Sequence, residues 1–283
     1  MMTFQDLVFN LQNFWSKQGC VVLQPYDLEM GAATFHPSTS LNSLGTKHYK
    51  SVYTQCCRRP SDGRYGENPN RLQQYYQMQV LIKPSPKNSQ ELYLKSLEAI
   101  KINILENDIK FIEDNWESPT LGAAGLGWEI QCNGAEISQF TYFQQMGGIE
   151  CKPVSLELTY GLERIAMMLQ NVDSIFKIKW NNEGITYGEL FLENEKEFSK
   201  YNFEYVNISI LKSDFKNIEN ECIHLIEKKL LRPAYEKCIK ASHVFNLLDA
   251  RGALSVSERQ SYILLIRGLT KKCCELWMKT CNE

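Results

Sequence analysis

Between residues 53 and 83 the chain reads YTQCCRRPSDGRYGENPNRLQQYYQMQVLIK, and this stretch constrains the fold more than any other. Two runs rich in Val, Tyr and Gln flank a loop dense in Gly, Pro and Asn, the pattern of two antiparallel strands joined by a long connection. Arg58 and Arg59 close the first run and Arg71 opens the second, so both ends of the loop carry guanidiniums. A guanidinium stays charged and grips phosphate oxygens with two parallel N–H bonds. Arginines and glutamines on such a frame suit an anionic, polar ligand, and a nucleotide fits that description.

The chain has 283 residues, 43% of them hydrophobic and 23% charged, enough for one large domain plus a smaller one. No apolar run approaches the roughly 20 residues needed to cross a bilayer, and the N-terminus has no basic segment with a cleavable apolar core. A cytoplasmic protein without membrane contact is expected. Ten cysteines include the adjacent pairs Cys56/Cys57 and Cys273/Cys274 but no CxxC spacing, so reduced thiols are expected rather than disulfides or zinc. A net charge of −2 supplies no general attraction for a polyphosphate backbone. Any nucleic-acid contact must be local or come from a partner chain.

Phe4, Leu7, Val8, Leu11, Phe14 and Trp15 recur at helical spacing behind Thr3, with Asp6 placed for a capping box, which predicts a helix over 3–18 ended by Gly19. CVVLQP then reads as a strand closed by Pro25. Asn88 and Glu91 open a predicted helix after the prolines at 84 and 86, and IKFIED (109–114) is a predicted strand. Asn133-Gly134, between two alternating runs, is the strongest hairpin signal. If they form the loop, Cys132 faces Ala135 and Gln131 faces Glu136, which puts Glu129, Gln131, Glu136 and Ser138 on one face and Trp128, Ile130, Cys132 and Ile137 on the other. PVSLELTYGLERIAMMLQ predicts a strand turning at Gly161 into a helix with Arg164 in its first turn. Helices are predicted at 211–231, 233–248 and 257–279. The expected fold is α+β, an antiparallel sheet flanked by helices over 1–180 with a mainly helical C-terminal domain over 181–283.

Arginines on a rigid hairpin can hold a triphosphate while its α-phosphorus is attacked. Arg164 lies where free N–H groups and the helix dipole already favour an anion, and Glu129 and Glu136 supply hard oxygen ligands for Mg²⁺. Each piece also has a plainer reading. Arg58 and Arg59 suit a solvated strand end, the two glutamates the wet face of a sheet, Arg164 an ion pair with Glu163 or Glu157, and Gln77 and Gln79 the wet side of a strand.

The segments RRPSDGRYGENPNRLQQYYQ, FIEDNWESPTLGA, QFTYFQQMGG, LTYGLERIAM and FNLLDARGALSVSERQ together resemble the class II aminoacyl-tRNA synthetases, and more closely the α subunit of the bacterial two-subunit glycyl-tRNA synthetases, over nearly the whole chain. The resemblance implies a class II-like catalytic domain over 1–180 that binds ATP and glycine. Arg59 would bind the α-phosphate and Arg164, in GLER rather than a glycine-rich form, the γ-phosphate. Arg71, Tyr75 and Gln79 would complete the ATP site, Gln79 standing where an acid is usual. Glu129 and Glu136 would hold Mg²⁺. Glu157 and Thr159 match positions that recognise glycine, with Gln77 and Trp116 as further pocket walls. Gly19 to Pro25 resembles a dimer-forming motif one residue short.

The implied activity is glycine activation to glycyl-adenylate and transfer to tRNA(Gly). A separate β subunit would supply most tRNA recognition, and the assembly would be α2β2, built on an α homodimer. Filling the pocket would reject larger amino acids by overpacking, at about 1 to 3 kcal/mol. The alternatives are a regulatory paralogue that has lost the chemistry and a free-standing ligase adenylating another small carboxylate. The intact set Arg59, Arg71, Arg164, Glu129 and Glu136 speaks against the first, and Glu157 for a substrate with an ammonium group.

Overall fold

The computed structural model describes residues 2–281. Helix α1 (Phe4–Lys17) is followed by β1 (Val21–Val22), a short helix α2 (Pro37–Ser40), and the long pair β2 (Tyr49–Arg58) and β3 (Gln74–Lys83). Then come α3 (Ser89–Ala99), the strands β4 (Ile109–Ser118), β5 (Ala123–Cys132), β6 (Ala135–Met146) and β7 (Ile149–Gly161), and α4 (Leu162–Gln170). Four helices complete the chain: α5 (Tyr187–Lys200), α6 (Ile208–Glu227), α7 (Leu231–Ala250) and α8 (Val256–Cys281). The α+β expectation holds.

The strands form one seven-stranded sheet in the order β1-β2-β3-β7-β6-β5-β4. All neighbours are antiparallel except β1, which lies parallel to β2 and so makes the sheet mixed rather than purely antiparallel. Thr3 and Asp6 form the expected capping box on α1. Asn133 and Gly134 turn the β5–β6 hairpin with φ of 52° and 80°, the left-handed conformations that a two-residue hairpin loop needs.

The hairpin register agrees with the sequence for its first two pairs, Cys132 with Ala135 and Gln131 with Glu136. Ile130 then pairs with Ser138, so Ile137 is an extra residue in β6, a bulge that reverses the alternation beyond it. Ser138 consequently faces the core, where it meets the Tyr93 hydroxyl at 2.8 Å, and Gln139 takes the place opposite Glu129.

Period-2 alternation gives the sheet two different faces. Val52, Val80, Leu158 and Phe140 pack with Leu7, Leu11 and Trp15 of α1 and with Tyr93 and Leu97 of α3 in the larger core. A row on the opposite face runs from Tyr53 through Gln79, Thr159 and Gln139 to Glu129, each paired with the next across the strands. Further along that face Phe143 joins Leu81, Leu121 and residues of α6, α7 and α8 in a second core. The C-terminal helices therefore cover part of the polar face and leave the rest open.

Cys222, Cys238 and Cys273, one from each of α6, α7 and α8, meet in that second core with consecutive sulfur separations of 3.7 Å. No fourth metal-type ligand joins them among the described residues, and they pack against Ala234 and Ile239 as apolar-type fillers. All ten cysteines are free thiols, as the sequence led us to expect.

Candidate active site

The uncovered part of the polar face is a cleft of about 720 Å³. Arg59, Arg71 and Arg164 line it from the end of β2, the loop before β3 and the first turn of α4. Adjacent residues on a strand point to opposite sides, and this separates the first arginine pair. Arg59 enters the cleft over the Tyr75 ring at 5.0 Å, whereas Arg58 lies over Phe198 of α5 at 4.6 Å.

Each cleft arginine is already held by an oxygen of the chain. Arg59 Nε donates to the Gly31 carbonyl at 3.1 Å, which the Tyr75 hydroxyl also reaches at 3.0 Å. Arg71 grips Asp62 Oδ1 through Nη2 at 2.7 Å and Nε at 3.1 Å. Arg164 Nη1 pairs with Glu136 Oε2 at 2.7 Å. Asp62, Asn68 and Asn70 on the arginine loop also line the cleft.

Beneath the cleft Gln79, Glu157 and Thr159 form a ring. Gln79 Nε2 donates to Glu157 Oε1 at 2.5 Å, while Thr159 Oγ1 lies 2.5 Å from that oxygen and 2.7 Å from Gln79 Oε1. One hydroxyl proton can serve only one of those two oxygens at a time. Burial pushes the Glu157 carboxyl above its ordinary range, the direction that favours the protonated form. Thr34 approaches the same oxygen at 3.4 Å, and Glu157 Oε2 is buried with no partner among the described residues.

Gln77 lines the cleft with its carbonyl oxygen engaged by the Ala33 amide at 2.9 Å. Trp116 lines the same cleft, its ring 5.6 Å from that of Phe143. Glu136 borders the cleft, whereas Glu129 sits further along the same face, accepting from Gln131 at 2.8 Å. Gln139, between Glu129 and Thr159 in the row, donates to Asp114 at 2.5 Å. The donors on this side are all oxygens, carboxylates and an amide, a set that suits a hard cation such as Mg²⁺.

Sequence reasoning missed two buried acids. Glu163 accepts from the Tyr76 amide at 2.7 Å and the Tyr187 hydroxyl at 3.0 Å, and desolvation raises its carboxyl to about 7. Glu195 of α5 accepts from the Gln73 and Gln74 amides at 2.9 and 3.0 Å. Helix α5 itself had a readable signal, the capping box of Thr186 and Glu189.

A family model described as glycyl-tRNA synthetase alpha subunit matches residues 4–282. The chain belongs to that family. It is thus an aminoacyl-tRNA ligase, and membership in the glycyl-tRNA synthetase alpha family implies glycine, ATP and tRNA as substrates and a β subunit as partner. Two solved structures of a pyrrolysyl-tRNA synthetase from Desulfitobacterium hafniense are similar at 12% and 13% identity, with TM-scores of 0.45 and 0.43, each over 65% of this chain and 76% of the other.

Proposed function

We propose that this cleft activates glycine with ATP, forming glycyl-adenylate and pyrophosphate, and that the glycyl group then passes to the 3′ end of tRNA(Gly) with the β subunit supplying most of the tRNA recognition. The observation that carries the reading is the convergence of Arg59, Arg71 and Arg164, from three separate elements, on one cleft whose wall includes Thr159, itself hydrogen-bonded to the buried Glu157 carboxyl behind it.

The residues divide the work by position. Arg59 holds the α-phosphate and Arg164 the γ-phosphate, while Arg71, Tyr75 and Gln79 complete the nucleotide side. Glu157 Oε2 receives the glycine ammonium, with Thr159, Gln77 and Trp116 shaping the space around it. A carboxylate oxygen of glycine attacks the α-phosphorus; as that O–P bond forms, the bond to the bridging oxygen breaks and its electron pair leaves with pyrophosphate. No protein nucleophile is needed. The rate comes from holding both reactants in line and from the guanidiniums facing the charge that builds up. Magnesium, when bound, supplies further neutralisation of the phosphate oxygens, and Glu129 and Glu136 would hold it.

The expected assembly is an α homodimer within α2β2. Support comes from β1, an edge strand in the region resembling the dimer motif, where Val21 is 57% exposed. Among the described residues no helix is long and apolar enough to cross a membrane. We place the protein in the cytoplasm because its tRNA substrate would be there. The test is glycine-dependent ATP–pyrophosphate exchange by the purified chain, with alanine and serine as controls, before and after adding the β chain. Exchange with glycine alone among the three supports the reading. No exchange in either condition would replace it with the regulatory paralogue, and exchange driven by another carboxylic acid with the free-standing ligase.

A further inference from the structure

Strand β7 pairs with β3 only as far as Gly161 opposite Gln77, because the chain there turns into α4. β3 continues past this point to Gln74, paired on its other side with β2. Its outer edge therefore loses its ladder partner just where the arginine loop joins the sheet. Buried backbone N–H groups without acceptors are costly, so something must replace the missing strand.

Two carboxylates do so. Glu163, in the first turn of α4, takes the Tyr76 amide. Glu195, only 1% exposed, takes two amides at once, Gln73 on Oε2 and Gln74 on Oε1. One turn further along α5, Ser199 Oγ accepts the Tyr65 amide at 3.0 Å. The loop approaches α5 too closely for side chains. A Cβ on Gly63 would lie 2.8 Å from Ser199 Oγ, and one on Gly66, whose φ is +72°, would lie 2.6 Å from Leu192. Yet no residue of α5 lines the cleft. The helix can reach a ligand only through the loop it supports.

We propose that Glu195 is a positioning residue for nucleotide binding: it acts as a substitute strand edge that fixes the start of β3, where Tyr75 lies, and α5 as a whole backs the loop that carries Arg59 and Arg71. This rests on the reading of the cleft as the ATP site. A carboxylate is required because two adjacent N–H groups converge on it and both of its oxygens accept. A glutamine would turn an NH2 toward one of those N–H groups.

The experiment compares Glu195→Gln with Arg59→Ala in the full chain bound to its β partner, reading KM for ATP and KM for glycine in pyrophosphate exchange and hydrogen exchange of the amides at 73–76. Glu195→Gln is expected to raise KM for ATP about ten-fold, the scale of one charge-assisted hydrogen bond, to leave KM for glycine within about two-fold, and to speed exchange at Gln73 and Gln74. Unchanged exchange at those amides, or equal changes in both KM values, would overturn the proposal. If Arg59→Ala raises KM for ATP and Glu195→Gln does not, the positioning role fails alone. If Arg59→Ala has no effect either, the nucleotide reading of the cleft fails and takes the proposal with it. Should Glu195→Gln not fold, Ser199→Ala removes the acceptor of the Tyr65 amide; a selective rise in KM for ATP supports the proposal, and an unchanged value refutes it.

Discussion

Replacing Glu157 by glutamine tests the amino-acid half of the site with little change of shape. Burial raises the Glu157 carboxyl above its ordinary range, which favours its protonated form. On the proposed reading an arriving ammonium group meets Oε2, which is buried without a hydrogen-bond partner among the described residues, and favours the ionised carboxylate. The charge-assisted contact is worth about 1.5 to 3 kcal/mol, and the prior loss of a tightly held proton subtracts from it, so the lower end applies. Glu157→Gln should therefore raise KM for glycine about ten-fold, at about 1.4 kcal/mol per decade, and leave KM for ATP nearly unchanged. The sign of the pH effect follows. The ionised form binds the ammonium, so wild-type KM for glycine falls as pH rises through the Glu157 titration, and the glutamine variant loses this dependence. Thermal unfolding at neutral pH should show no loss of stability, because the variant removes an acid that the unfolded chain ionises more readily than the folded one. A folded Glu157→Gln enzyme with wild-type KM for glycine, or with both KM values raised equally, would refute the assignment.

Arg59→Ala should lower the exchange rate by a factor of about 10² to 10³, or about 2.7 to 4 kcal/mol of transition-state stabilisation, as for one oxyanion-type donor; an unchanged rate in a folded protein removes Arg59 from the chemistry. Glu163, buried and raised from 4.5 to about 7, holds its proton more tightly folded than unfolded, so its contribution is fully present below pH 4.5 and is lost as pH rises toward 7. The stability difference between wild type and Glu163→Gln should shift by about 3 kcal/mol across that window in denaturant titrations, and a flat difference would contradict it. Glu136→Gln frees Arg164 from a pair whose side chains are 56% and 40% exposed, worth at most about 1 kcal/mol, so metal-free ATP should bind up to about five-fold tighter while half-saturation by Mg²⁺ in the exchange assay moves to higher concentration.

Much of this arrangement could be read from local sequence, because local chemistry decides it. Asn133-Gly134 dictates a two-residue turn, and the alternation in the flanking runs then places Glu129 and Glu136 on one face. Thr3 and Asp6 announce α1, and the arginines at the ends of the long loop mark where the cleft opens. What local sequence left out depends on partners distant in the chain. The bulge at Ile137 exchanges Ser138 for Gln139 on the cleft face, and no residue in IQCNGAEISQ signals it. Glu163 and Glu195 look like ordinary surface acids, since Glu is seldom buried, and only the departure of β7 from β3 creates the empty amides they fill. Asp62, nine residues before Arg71, likewise gains its role only once the loop folds back.

The proposed nucleotide site pairs each of its three guanidiniums within the chain. Three guanidiniums close together would repel, and each has an internal oxygen instead: the Gly31 carbonyl, Asp62 and Glu136. The two ion pairs are solvent-exposed enough to contribute less than about 1 kcal/mol each, whereas a guanidinium fork on phosphate is stronger. On the proposed reading, exchange of partners favours the nucleotide, and the internal oxygens keep the arginines aimed. The two displaced acids differ in consequence. Asp62 lies on the arginine loop and can move away with it. Glu136 is fixed in a strand next to the hairpin turn, and once released by Arg164 it adds a like charge beside the triphosphate. That repulsion is relieved if the nucleotide arrives with its magnesium ion, so on the proposed reading the placement of Glu136 would favour MgATP over free ATP.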